Sequence, residues 1–84
     1  MTPDALQFDD FAGRLADALG IEPADVVAPA RLLEDLGLDS FDLVEAMAVV
    51  EELGVWLPDD VAVDLETVGD LYREYRDRAA AAVG

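Results

Sequence analysis

The 84 residues, with 20 Asp and Glu against 5 basic residues and a formal net charge of −15, make one small acidic domain spanning 1–84. The chain has no cysteine and no histidine, which excludes disulfide staples, thiolate metal sites and the usual general base. Such charge repels nucleic acid and anionic membranes and attracts basic proteins, while 54% hydrophobic residues argue against disorder.

Thr2-Pro3 reads as an N-cap followed by proline in the first helical position. Phe8, Phe11, Ala12, Leu15 and Leu19 then recur at helical spacing, and Gly20 closes the segment. Residues 21–38 carry Pro23, Pro29 and Gly37 among scattered apolar positions, which predicts a structured connection pinned by Val26, Leu32, Leu33 and Leu36. A second helix is predicted from about Ser40 to Leu53, stopped by Gly54. Val55-Trp56-Leu57 forms a short extended step, and Pro58-Asp59-Asp60 opens a brief helical turn to about Val63. Thr67-Val68-Gly69-Asp70 has the spacing of a capping box, and the helix behind it places Val68, Leu71, Tyr72 and Tyr75 on one face. The tail from Ala79 to Gly84 is expected to fray. The fold class is therefore all-α, a small bundle of three main helices plus one short helix. The start lacks the basic region and apolar core of a secretion signal, and no apolar run approaches the roughly 18 residues of a membrane span. A soluble, cytoplasmic, monomeric protein without membrane insertion is expected.

The second helix has two faces. With Ser40 at zero and about 100° per residue, Leu43, Ala46, Met47, Val50 and Leu53 fall between about 220° and 340°, a stripe wide enough for the core. Ser40, Val44 and Glu51 lie near 0–40°, and Phe41, Glu45, Ala48 and Glu52 near 80–140°, by the same count. A solvated face does not normally mix phenylalanine and valine with its glutamates. This face suits partner docking, with apolar contacts for affinity and carboxylates for steering. The alternative is that Phe41 folds back over the loop as core.

Catalysis finds no support. A nucleophilic serine needs a base, usually histidine or lysine, and the chain has neither. A loop from Asp35 fails the calcium pattern, having no glycine at its sixth position and Ala46 at its twelfth. Ser40 is left with two readings, an ordinary helix cap or a site that another enzyme modifies.

Leu32-Leu33-Glu34-Asp35-Leu36-Gly37-Leu38-Asp39-Ser40-Phe41-Asp42-Leu43-Val44-Glu45 resembles the prosthetic-group attachment motif of the acyl carrier proteins, whose core is Asp-Ser-Leu followed by an acidic helix. Gly20-Ile21-Glu22-Pro23, the run from Glu51 to Asp59 and Leu65-Glu66-Thr67-Val68-Gly69-Asp70-Leu71 resemble further family segments in the right order. The resemblance implies an acyl-carrier-like right-handed bundle that is not an enzyme. Ser40, next to Asp39, would carry covalent 4′-phosphopantetheine, installed from coenzyme A by a phosphopantetheinyl transferase. Its thiol would hold acyl intermediates as thioesters for fatty-acid or polyketide biosynthesis. Asp39, Phe41, Asp42, Val44, Glu45, Ala48, Glu51 and Glu52 would lie on or beside the docking face. The partners implied are acyl-transferring, condensing and tailoring enzymes with basic patches. Leu43, Met47, Val50 and Leu65 would line the space for an acyl chain.

Three departures stand out. Phe41 replaces the usual leucine, the Ser40–Pro58 spacing is one residue short, and Trp56 sits where many relatives are polar. Trp56 points out if Val55 and Leu57 point in, or else caps the core. The departures favour a dedicated carrier in a specialised pathway. Gly37-Leu38-Asp39-Ser40 differs from the Gly-Gly-x-Ser of peptidyl or aminoacyl carriers, which remain the runner-up. No basic residue lies between Arg31 and Arg73, and the chain starts at Met1, both favouring a free-standing carrier over a piece of a modular synthase. A cofactor-free interaction module is the third reading.

Overall fold

Phe11, Ala12, Leu15 and Ala16 repeat at helical spacing and are buried together, which gives the first helix one core-facing side. The computed structural model describes residues 6–62 and 64–83. Its helices are α1 (Phe8–Leu19), α2 (Ser40–Glu52), α3 (Asp59–Ala62) and α4 (Val68–Val83), with a 3₁₀ turn at Pro23–Asp25. The architecture is the expected one, three main helices plus a short one, with the 3₁₀ turn as an addition. α1 packs against both α2 and α4.

The helix ends follow from capping chemistry. Gly20 takes φ 69°, and its N–H reaches the Ala16 carbonyl, closing α1. Thr67 Oγ1 accepts from the Asp70 N–H at 3.1 Å while Asp70 Oδ2 accepts from the Thr67 N–H at 3.2 Å, a reciprocal box that starts α4. The start of α1 differs from expectation. Thr2 and Pro3 lie outside the described residues, but Leu6 and Gln7 are not helical and α1 begins at Phe8. The Leu6 N–H donates to the Tyr75 hydroxyl and the Leu6 carbonyl accepts from Tyr72, each at 2.8 Å. These two bonds occupy the backbone groups a helix would otherwise use. Phe11 stacks on Tyr75, and Phe8 meets Tyr72 edge-on.

At the other end, where fraying is expected from Ala79, α4 extends to Val83, as alanine's high helix propensity favours. Val63, the expected end of the short helical turn, and Gly84 lie outside the described residues.

The connection from α1 to α2 is held by both side chains and backbone. Val26, Ala30, Leu32 and Leu38 are buried. Leu33, expected to help pin the loop, is exposed instead. The Asp35 and Leu36 N–H groups both bond to the Arg31 carbonyl, so the chain coils here and Leu32 and Leu36 share the inner side. Arg31 pairs with Thr67 in an isolated antiparallel bridge. The Leu32 N–H bonds to the Glu66 carbonyl, while Val68 and Gly69 donate to Ala30 and Ala28. Two of the four N–H groups that a helix start leaves open are thus satisfied in α4 by loop carbonyls.

Candidate functional site

Gly37 takes φ 67°, a left-handed conformation that a residue with a Cβ resists, and so lets the loop reverse before α2. Leu38 is then buried as an anchor, and its N–H bonds back to the Leu32 carbonyl at 3.1 Å. Asp39, one residue on, is the N-cap. Its Oδ1 accepts from the Asp42 N–H at 2.9 Å, and Asp42 Oδ2 accepts from the Asp39 N–H at 3.2 Å. The simple helix-cap reading of Ser40 therefore fails, because Asp39 already caps α2. Ser40 is the first helical residue, exposed, and its hydroxyl enters no hydrogen bond among the described residues.

The core side of α2 is rotated from the expected stripe. Ala46, Val49 and Val50 are buried, while Leu43, Met47 and Leu53 are only partly covered. Val49, near 180° by the same 100° count, was outside the expected stripe. With the buried arc shifted that way, Leu43 and Met47 come to the edge of the core on the side nearer Ser40. Together with Leu65 they line a closed apolar cleft that also includes Leu32, Ala46 and Leu71. Its volume is about 10 Å³, room for no more than about one water. Val50 does not line it and is fully buried in the core.

Along the other face Phe41 and Val44 are 68% and 64% exposed, so Phe41 does not fold over the loop as core. Ala48, Glu51 and Glu52 are exposed, and Asp42 and Glu45 are partly so. No ion pair among the described residues involves an α2 carboxylate; the pairs are Arg31–Glu34, Arg73–Asp70 and Arg78–Glu74. Glu51 and Glu52 sit in the last turn of α2, where the helix dipole disfavours a negative charge by roughly 0.3–1 kcal/mol. Helix stability does not explain them. Trp56, between buried Val55 and Leu57, points outward at 66% exposure, the first of the two orientations considered.

The model of the family described as "phosphopantetheine attachment site" matches residues 9–74. The chain belongs to this family of phosphopantetheine-bearing carrier domains. That agrees with the resemblance of its motif to the acyl carrier proteins. Among curated proteins, none matches the chain. The group borne is 4′-phosphopantetheine, covalently attached, and domains of this family carry intermediates between biosynthetic enzymes. The loop before α2 fits such a group. It presents a hydroxyl unclaimed by the cap at a helix N-terminus, where N–H groups and the dipole favour a phosphate. No helix among the described residues is long and apolar enough to cross a membrane.

Proposed function

We propose that the chain is an acyl carrier whose Ser40 hydroxyl is the attachment point of 4′-phosphopantetheine. It would deliver acyl intermediates to acyl-transferring, condensing and tailoring enzymes of fatty-acid or polyketide-type biosynthesis. The observation that carries this reading is the division of labour at the start of α2: Asp39 caps the helix, which leaves the exposed Ser40 hydroxyl to a transferase. When bound, the group supplies a thiol that holds the acyl chain as a thioester. The residues of the chain itself do the positioning. Gly37 and Leu38 set the loop, Asp39 and Asp42 fix the first turn, and Phe41, Asp42, Val44, Glu45, Ala48, Glu51 and Glu52 offer the docking face. Leu43, Met47 and Leu65 border the apolar cleft, which would have to widen to admit an acyl chain.

The acyl class rather than the peptidyl one is favoured by Gly37-Leu38-Asp39-Ser40 and by the absence of basic residues from α2. Co-expression with a promiscuous phosphopantetheinyl transferase, followed by intact-mass measurement, tests the attachment. The wild type should gain one phosphopantetheine, and Ser40→Ala should gain none. Loading of Ser40→Ala, or no loading of the wild type, overturns the assignment.

A further inference from the structure

Trp56 is held outward by its neighbours rather than left there by chance. Val55 and Leu57 are 5% and 3% exposed, and the alternation of an extended step then turns the residue between them to solvent. It stands beside α2 in a shallow groove lined by Val44, Met47, Ala48, Glu51, Trp56 and Leu57. Five of its six lining residues are apolar, and Ala48 is the smallest of them. Its volume of about 240 Å³ is below the roughly 300–1,000 Å³ of a typical small-molecule site. That size suits inserted side chains. One acid, Glu51, lines it, Glu52 follows in the sequence, and no described ion pair engages either.

We infer that this groove is an anchor pocket for a partner protein, taking one apolar side chain that the partner presents between Lys or Arg residues. Trp56 forms the wall opposite α2, and Glu51 and Glu52 meet the flanking cations. The inference rests on the carrier reading and adds to the α2 face a residue from the segment after it. Tryptophan at such a position is the residue type most often found to dominate an interface, because its large rigid surface is covered at little entropic cost. No basic residue lies between Arg31 and Arg73, so charge complementarity favours a basic partner surface.

The chain has a single tryptophan, so 5-fluorotryptophan places one fluorine label at Trp56 alone. The probe is a short helical peptide with one central leucine flanked by arginines, titrated into the full chain and followed by ¹⁹F NMR. Replacing the central leucine with alanine, or the arginines with glutamates, supplies the controls. A saturable shift with the leucine peptide, weakened on the order of tenfold for the alanine peptide, is expected. Unlabelled Trp56→Ala, followed by calorimetry, should bind the leucine peptide about tenfold more weakly. Ala48→Leu, which fills the groove and suits the helix, should weaken binding similarly; circular dichroism melts check that both variants stay folded.

Equal binding of the leucine and alanine peptides overturns the inference, as does tighter binding by Ala48→Leu, which would indicate a flat apolar patch. A ¹⁹F shift that depends on the concentration of the chain alone makes a second copy the occupant, and also overturns it. Loading of Ser40, read by mass in the same preparations, separates the two ideas. Loading without peptide binding removes only the groove, whereas failure to load removes the carrier reading.

Discussion

Asp39→Ala isolates the cap that presents Ser40. The substitution removes the oxygen that accepts from the Asp42 N–H at 2.9 Å, and leaves Asp42 Oδ2 bonded to the Asp39 backbone at 3.2 Å without its counterpart. Loss of an N-cap side chain costs about 0.5–2 kcal/mol. Both bonds are exposed, so water takes over part of the work, and one carboxylate fewer eases repulsion on a chain of net charge −15. These effects keep the expected loss near the middle of the range, about 1 kcal/mol. For a domain of this size that lowers Tm by about 4–8 °C. Asp39→Asn keeps an acceptor oxygen of similar capping strength and should stay within about 0.5 kcal/mol of the wild type. Urea denaturation followed by circular dichroism measures both, with an unchanged m-value confirming that the folded state is the same. Amide exchange at Phe41 and Asp42 should quicken in Asp39→Ala while exchange in α4 does not. If Asp39→Ala is as stable as the wild type, or if Asn is as damaging as Ala, the box does not hold the first turn and the argument for a free Ser40 hydroxyl loses its basis.

Gly13→Ala should stabilise α1 by about 0.5–1 kcal/mol, since a Cβ there meets nothing within 4 Å. Gly69→Ala should lose that gain, because its Cβ would come to 3.0 Å from the Ala28 carbonyl oxygen; equal melting temperatures for the two variants would refute the packing argument. Glu45→Lys should raise the KM of phosphopantetheinyl transfer several-fold at low salt and flatten its salt dependence, and an unchanged KM would place docking elsewhere. Raising ionic strength from about 0.01 to 0.15 M should increase Tm by several degrees as repulsion among the carboxylates is screened, and a flat response would mean those charges are already well dispersed.

Where local chemistry decides the structure, the sequence is legible. Gly20, Gly54 and the Thr67–Asp70 box mark helix ends because capping depends on a few adjacent residues. The same spacing occurs at Asp39–Asp42, yet two good capping residues stand side by side there. The burial of Leu38 and the returned bond from Asp42 make Asp39 the cap. Contacts distant in sequence are not legible. The hold of Tyr72 and Tyr75 on Leu6, which delays α1 to Phe8, joins residues more than 60 positions apart. The turn of α2 that buries Val49 and half-uncovers Met47 depends on how its neighbours pack, which an ideal wheel does not contain. Trp56 is intermediate: alternation gives its direction once Val55 and Leu57 are inside, but only the tertiary fold brings it beside Val44 and Ala48.

The bridge between Arg31 and Thr67 has a consequence for the order in which the chain assembles. Most contacts in a helical domain are local and form quickly, but this one closes a loop of roughly 35 residues and carries the entropic cost of doing so. The loop's carbonyls at Ala28 and Ala30 gain partners only when α4 arrives, and the first amides of α4 gain theirs only from that loop. Neither half has its hydrogen bonds complete without the other. The approach to Ser40 is therefore held in shape only when α4 is docked against it.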